Sequence, residues 1–159
     1  MIATAGGAAK LAACRAAGAD AALDYRETGW LDELRRLAPQ GCDVVYDPVG
    51  GDIGIQSLRC LAFGARYLII GFAGGALTSL AANRLLLHNA SAVGVLWGEV
   101  RQRDPTLARA LTEEIHAWHA QGQLRPLPGN GFSFEQAPEA LAALDSRAST
   151  GKVWLDLER

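Results

Sequence analysis

The sequence predicts an α/β fold built on a doubly wound parallel sheet with helices on both faces. Short apolar segments are followed by glycine-bearing turns and then by segments of helical periodicity, and this succession occurs several times along the chain. The apolar segments are continuous rather than alternating, which is typical of strands covered on both faces. With 159 residues, half of them apolar, the chain is long enough for one domain with a core and short for two.

Each predicted element is bounded by residues that start or stop regular structure. The first strand ends at Gly6-Gly7, and Gly18 closes the helix that follows. Asp104-Pro105 suits the start of a long helix, because Asp caps free amides and Pro tolerates the first helical position. The predicted strands are residues 2–5, 21–23, 42–46, 65–70, 90–96 and 152–157, with 124–127 extended; the predicted helices are residues 8–17, 30–38, 53–61, 80–88, 105–122 and one through 140–144.

Composition and charge exclude several functional classes. The formal charge of −2 indicates no attraction to nucleic acid or to an anionic membrane surface. No apolar run reaches the roughly 18 residues of a membrane span, and no basic segment precedes an apolar stretch at the N-terminus. Cys14, Cys42 and Cys60 lie far apart, which argues against a disulfide framework or a zinc knuckle. We therefore expect a reduced, cytoplasmic protein.

In a parallel sheet, ligands bind at the carboxyl ends of the strands, so the turns are the candidate sites. The first turn opens a helix whose free amides could receive an anion, with Lys10 adding a positive charge. No acidic residue follows Ala5 before Asp20, so a ribose carrying a 2'-phosphate would be tolerated there. The alternative is an ordinary tight turn with a solvated lysine.

Three further features each have a functional and a structural interpretation. Asp47, followed by two glycines after one strand, could bind a ribose or cap the next helix. Tyr25 could stack on an adenine or cover the helix beneath it. His116 and His119 share one helix face, yet no third metal ligand is in view. No serine or cysteine has a nucleophile setting, so no hydrolytic or metal-dependent mechanism follows.

Seven segments carry a resemblance to a known family. In chain order they are Ile2-Ala3-Thr4-Ala5-Gly6-Gly7 with Lys10 and Gly18-Ala19-Asp20, Asp24-Tyr25-Arg26, Asp43-Val44-Val45-Tyr46-Asp47-Pro48-Val49-Gly50-Gly51, Gly64-Ala65-Arg66-Tyr67-Leu68-Ile69-Ile70-Gly71-Phe72, Val93-Gly94-Val95-Leu96-Trp97-Gly98 and Thr150-Gly151-Lys152-Val153. Together they look like the nucleotide-binding half of the zinc-independent quinone oxidoreductases, in the medium-chain dehydrogenase/reductase superfamily. The resemblance covers essentially the whole chain.

The resemblance implies a cofactor, a reaction and a set of binding residues. The cofactor would be NADPH, and the reaction would be hydride transfer to a quinone or an activated alkene. The 2'-phosphate would lie among Gly6, Gly7 and Lys10, with Tyr25 against the adenosine side. The ribose would pass Val49, Gly50 and Gly51; the nicotinamide end would approach Ile70, Gly71, Phe72 and Ala73; Leu96, Trp97 and Gly98 would contact the nicotinamide; and Lys152 would lie near the cofactor.

The sequence also departs from that family. Relatives carry an N-terminal catalytic domain and then a first strand with a glycine-rich loop, whereas this sequence begins at what would be the second strand. We therefore expect residues 1–159 to form a partial NADP-binding (Rossmann) domain that lacks this first strand and loop. The catalytic domain would be absent too, so a quinone or enone would bind only where such a domain is supplied.

Loss of a first strand has a physical consequence, since in the order 3-2-1-4-5-6 that strand is central. Its neighbours would present open edges, so we expect the strand at 42–46 or the one at 2–5 to pair with something else, or the latter to be displaced. A homo-oligomer is the expected result. Two alternative functions remain open: a non-catalytic remnant that binds a partner, and another Rossmann-like enzyme, such as a methyltransferase that uses Asp47 for a ribose.

Overall fold

The structure, a computed structural model, describes residues 1–146 and 149–157, which contain strands β1–β7 and helices α1–α7. The strands are β1 Ile2–Ala5, β2 Ala21–Asp24, β3 Cys42–Asp47, β4 Leu61–Ile69, β5 Ser91–Gly94, β6 Asn130–Ser133 and β7 Val153–Asp156. The helices are α1 Ala8–Ala16, α2 Trp30–Leu37, α3 Gly51–Ser57, α4 Ala82–His88, α5 Trp97–Arg103, α6 Pro105–Ala120 and α7 Ala137–Asp145, with short 3-10 helices at Leu58–Cys60 and Phe134–Gln136. This alternation confirms the predicted α/β class.

The chain divides into two units. The terminal unit comprises Met1–Ala22 and Leu111–Arg159, and the central unit comprises Leu23–Ala110. Strand β2 and helix α6 cross the boundary between them. No helix in the described part of the chain is both long and apolar enough to cross a membrane.

The strands form three separate sheets rather than one continuous sheet. β1 pairs with β2, β3-β4-β5 form a parallel sheet, and β6 pairs with β7 in parallel. Residues 2–5 form β1, which is paired with β2, and the amino group of Met1 also forms an ion pair with Asp20. β3 is the outermost strand of its sheet, as expected for a strand that lacks a neighbour.

The core of the central unit lies on one face of the β3-β4-β5 sheet. Its buried cluster is Leu58, Leu61, Ala62, Ala65 and Tyr67, with Val45, Ile69, Leu80, Leu85 and Ala90 packed against it. Successive side chains of a strand point to opposite faces, so the neighbours of Val45 on β3 point away from this cluster. Those neighbours, Val44 and Tyr46, are 46% and 66% exposed. In the central unit the second face of the sheet is thus open around β3.

Several predicted elements differ from the structure. The helix predicted at 53–61 ends at Ser57, because the apolar residues after it form a 3-10 turn and then the start of β4. Gly64, expected near the helix end, lies within β4 at φ 77°, where the β3–β4 register is irregular. Helix α5 was not predicted, and residues 124–127 form no strand.

Candidate functional site

Three loops of the central unit leave the same edge of its parallel sheet. In the register, Asp47 pairs with Ile69, and Ile69 pairs with Gly94, so β3, β4 and β5 end side by side. The predicted site residues that follow these ends are therefore brought to one edge. They are Val49, Gly50, Gly51, Ile70, Gly71, Phe72, Ala73, Leu96, Trp97 and Gly98.

The first two loops are joined backbone to backbone. The amides of Ile70, Ala73 and Gly74 donate hydrogen bonds to the carbonyls of residues 47, 48 and 49 at 3.0, 2.9 and 2.8 Å. These bonds satisfy backbone groups that would otherwise need water or a ligand. The two loops therefore form one fixed rim.

Glycine is required in this rim for reasons internal to the protein. A Cβ on Gly50, whose φ is +74°, would lie 2.8 Å from the Phe72 ring and from the Ala76 carbonyl oxygen. A Cβ on Gly74 would lie 2.8 Å from the Val49 carbonyl oxygen. The sequence suggested that such glycines let a ligand approach; these two let the loops approach each other.

The Asp47 side chain holds the turn that follows β3 through hydrogen bonds within the protein. The residue is only 6% exposed. Its Oδ1 accepts hydrogen bonds from the amides of Val49 at 2.9 Å and Gly50 at 3.0 Å, and its Oδ2 accepts one from the Tyr67 hydroxyl. With both oxygens occupied inside the protein, Asp47 does not present a carboxylate to a ribose. This removes the observation on which the methyltransferase alternative depended.

Tyr67 is the residue of this region that sequence reasoning missed. Its side chain is fully buried. Burial, and next the hydrogen bond to Asp47, raise the pKa of its hydroxyl well above the usual 10.0, so the group remains a donor. The alternation of β4 could have indicated an inward-pointing side chain, but nothing local identifies Asp47, twenty residues earlier, as its partner.

The third loop offers apolar surface and free space. Leu96 and Trp97, at the start of α5, are 71% and 41% exposed, and Phe72 on the neighbouring loop is 42% exposed. No atom lies within 4 Å of where a Cβ on Gly98 would be. A flat ring could pack on such a surface without displacing protein atoms.

Tyr25 lines a separate open pocket of about 380 Å³ within the central unit. Three arginines, Arg26, Arg35 and Arg59, also line it. Arg26 pairs with Asp24 at 2.7 Å and Arg35 with Asp32 at 2.8 Å. Because Glu27 and Asp32 also line it, the pocket combines an aromatic ring with side chains of both charges.

The remaining predicted residues lie in the terminal unit. Helix α1 begins at Ala8 after Gly7, whose φ is 94°; no side chain caps this helix, and its first turn has no acidic residue. Lys10 occupies that first turn. Lys152 lies just before β7, with its carbonyl against Gly129. The amides at the start of α1, together with Lys10, suit an anion better than a cation.

The residues described do not fit a metal site. Within residues 1–146 and 149–157, no group of three His, Cys, Asp or Glu side chains is arranged to hold a metal ion. The ring Nδ1 of His119 lies 3.0 Å from the Leu124 carbonyl oxygen. Zinc would need three or four such ligands.

Comparison with known proteins gives concordant results. Residues 17–155 match the family model described as zinc-binding dehydrogenase. Quinone oxidoreductase-like protein 2 of Bos taurus is 37% identical over 160 residues, which cover 99% of this chain and 46% of that protein. The chain thus spans about half the length of the curated relatives it matches.

Solved structures show the same fold. A mycobacterial protein solved in complex with NADPH superposes with a TM-score of 0.83 at 25% identity, covering 98% of this chain and 48% of that one. A quinone oxidoreductase of Pseudomonas syringae superposes with a TM-score of 0.85 at 24% identity, covering 97% and 48%. These findings confirm the predicted resemblance and the Rossmann-like fold. The chain belongs to the zinc-binding dehydrogenase family of the medium-chain dehydrogenase/reductase superfamily, and its relatives there are quinone oxidoreductase-like proteins.

Proposed function

We propose that this chain is the NADP(H)-binding portion of an oxidoreductase that transfers hydride from NADPH to a quinone or an activated alkene. The observation that carries the proposal is the register of β3, β4 and β5, which brings three predicted cofactor loops to one edge. The acceptor substrate binds only when a catalytic domain, of the kind expected in relatives, completes the site.

The central unit takes the nicotinamide half of the cofactor. Val49, Gly50 and Gly51 pass the ribose, and the loop from Ile70 to Ala73 approaches the nicotinamide, which Leu96, Trp97 and Gly98 contact. The exposed apolar side chains and the free space at Gly98 fit a flat ring. When bound, the cofactor supplies the hydride, and these residues orient the ring and keep water from it.

The terminal unit takes the 2'-phosphate. The uncapped start of α1, without an acid in its first turn, is suited to an anion, and Lys10 adds a full charge there. Gly6 and Gly7 allow the backbone to approach the phosphate. Tyr25 lies on the adenosine side, and Lys152 near the cofactor.

Direct titration tests the proposal. NADPH and NADH would each be titrated into the chain while the fluorescence of its four tryptophans and of the reduced nicotinamide is followed. NADPH binding at submillimolar concentration, tighter than NADH, is the expected result. If neither binds below millimolar concentration, the chain alone is not a cofactor module.

A second candidate function is that of a non-catalytic module that self-associates. The outer edge of β3 carries no strand among the described residues, and Val44 and Tyr46 beside it are exposed. Open edges with exposed apolar side chains favour pairing with another chain. A homo-oligomer joined through β3 would cover both the open strand edge and these exposed side chains.

Sedimentation velocity combined with the nucleotide titration separates the two candidates. A stable oligomer that binds no nucleotide supports the second. Val44→Lys should dissociate that oligomer, whereas Gln40→Lys, at an exposed position outside the strand, should not.

We propose that the protein is cytoplasmic. All three cysteines are free thiols, and Cys60 is buried, which suits a reducing compartment. Fractionation of the native host with an antibody to this chain tests the assignment, and recovery in an oxidising compartment would overturn it.

A further inference from the structure

A hydroxyl buried in an apolar core is costly unless it is hydrogen-bonded. Tyr67 is 0% exposed, on the central strand of the β3-β4-β5 sheet and within the core cluster. A phenylalanine would fill nearly the same apolar volume. A phenylalanine could not donate the hydrogen bond that the Tyr67 hydroxyl gives to Oδ2 of Asp47.

The other oxygen of Asp47 acts on the turn. Oδ1 accepts from the amides of Val49 and Gly50, the first two non-proline amides after Asp47. Hydrogen bonds to a carboxylate are stronger than those between neutral groups. The conformation of this turn is therefore linked, through one carboxylate, to the Tyr67 hydroxyl.

The site leaves little room for the carboxylate to move. A Cβ on Gly54 of helix α3 would lie 2.7 Å from Asp47 Oδ2, 2.7 Å from the Tyr67 hydroxyl and 2.5 Å from Thr78 Oγ1. These atoms converge on one point against the helix backbone. Tyr67 and the backbone at Gly54 thus confine the Asp47 carboxylate, and that carboxylate in turn holds the amides of Val49 and Gly50.

We infer that Tyr67 is a positioning residue for the cofactor: its hydroxyl fixes Asp47, and Asp47 fixes the turn of residues 48–51 against the nicotinamide half. The inference rests on the proposed function, because it assigns the turn to the cofactor. Tyr67 itself touches no cofactor. Without that hydroxyl, Asp47 Oδ2 loses the hydrogen bond from Tyr67, so the carboxylate that accepts from the two amides is held less firmly.

Binding of whole and partial cofactor tests the inference. Dissociation constants for NADPH and for 2',5'-ADP, which lacks the nicotinamide half, would be measured for the unmodified chain, Tyr67→Phe and Ala65→Gly. Loss of one hydrogen bond to a buried charge should weaken NADPH binding by Tyr67→Phe about tenfold. Binding of 2',5'-ADP should remain unchanged.

The control variant separates positioning from stability. Ala65 is buried on the same strand, two residues before Tyr67, and makes no contact through a polar side chain. Ala65→Gly should lower the melting temperature without changing the ratio of the two dissociation constants. If that ratio is the same for Tyr67→Phe as for the unmodified chain, Tyr67 is structural only and the inference fails.

Amide hydrogen exchange gives a second readout that needs no ligand. Tyr67→Phe should accelerate exchange at Val49 and Gly50 well beyond any change in Ala65→Gly, because their acceptor is no longer fixed. Unchanged exchange at both amides would overturn the inference. If the unmodified chain binds neither nucleotide but exchange accelerates as expected, the proposed function fails while the link from Tyr67 to the turn stands.

Discussion

The central and terminal units differ sharply in how much apolar surface they bury. All the buried apolar side chains of the described residues lie in the central unit except Ala22 and Ala140. Helices α1 and α6 bury none. The central unit also carries the loops proposed to contact the nicotinamide, whereas the terminal unit carries Lys10, the residue proposed to bind the 2'-phosphate. Under the proposed function, stability and charge recognition would lie in different parts of the chain, so each should be alterable without the other.

The largest expected effect comes from the core of the central unit. Leu58 is 1% exposed, so Leu58→Ala leaves a cavity and should lower the free energy of unfolding by about 3 kcal/mol. Leu141, on α7 in the terminal unit, is 67% exposed, and Leu141→Ala should cost less than about 1 kcal/mol. Urea denaturation followed by circular dichroism measures both. Equal losses would contradict the contrast between the units.

A smaller loss is expected where the helix backbone approaches the Asp47 cluster. Gly54→Ala places a Cβ within 2.7 Å of three polar side-chain atoms and should destabilise the chain by about 2 kcal/mol. Gly94→Ala is the matched control, because no atom lies within 4 Å of its Cβ position. Thermal melts of the two variants compare them directly. A Gly54→Ala variant as stable as Gly94→Ala would show that the cluster is not rigid.

The next effect in size is a change in the free energy of unfolding with pH. Burial, and next the neighbouring Cys42 thiol, raise the pKa of Cys60 from the ordinary 9.0 to about 11. The folded state therefore keeps a proton that the unfolded chain loses, so this contribution to stability is full below pH 9 and lost as pH rises toward 11. In Cys60→Ala, the decrease in the free energy of unfolding at alkaline pH should be smaller by about 1–2 kcal/mol.

Urea melts at pH 8 and pH 10.5 check this prediction. The difference in unfolding free energy between the two pH values should be smaller for Cys60→Ala than for the unmodified chain. Cys14→Ala, which alters a half-buried cysteine of the terminal unit, should leave the difference unchanged. If both variants flatten the pH dependence equally, burial of Cys60 is not its cause.

The sequence was informative where local signals agree with the final packing. Strands β1 and β3 and helices α1 and α2 were predicted to within one residue, because an apolar or periodic run stops at a glycine or proline turn. Convergence of the three loops at one edge also followed from the sequence, since parallel strands place their carboxyl ends together.

Local signals failed where partners distant in the sequence decide. Residues 58–61 continue an apolar helical pattern, yet pairing of Cys42 with Leu61 assigns the last of them to β4. Trp97-Gly98 looked like the end of a strand, and instead opens α5. The bond from Tyr67 to Asp47 joins residues twenty apart, and no periodicity in either segment identifies the other.

The smallest expected effect in free energy is the most specific test of the terminal unit. Lys10 lies on α1, which buries no side chain, so Lys10→Ala should leave the melting temperature unchanged. Removal of its charge from the 2'-phosphate should weaken NADPH binding about fivefold. NADH, which lacks that phosphate, should bind as before. The fluorescence titration gives all four dissociation constants.

Lys10→Arg is the conservative control, because it keeps the charge, and NADPH binding should stay within about twofold of the unmodified chain. Equal weakening of NADPH and NADH by Lys10→Ala would mean that the lysine does not contact the 2'-phosphate. A drop in melting temperature together with weaker binding would mean that α1 contributes to the fold. The separation of stability in the central unit from charge recognition in the terminal unit would then be wrong, because one side chain would serve both.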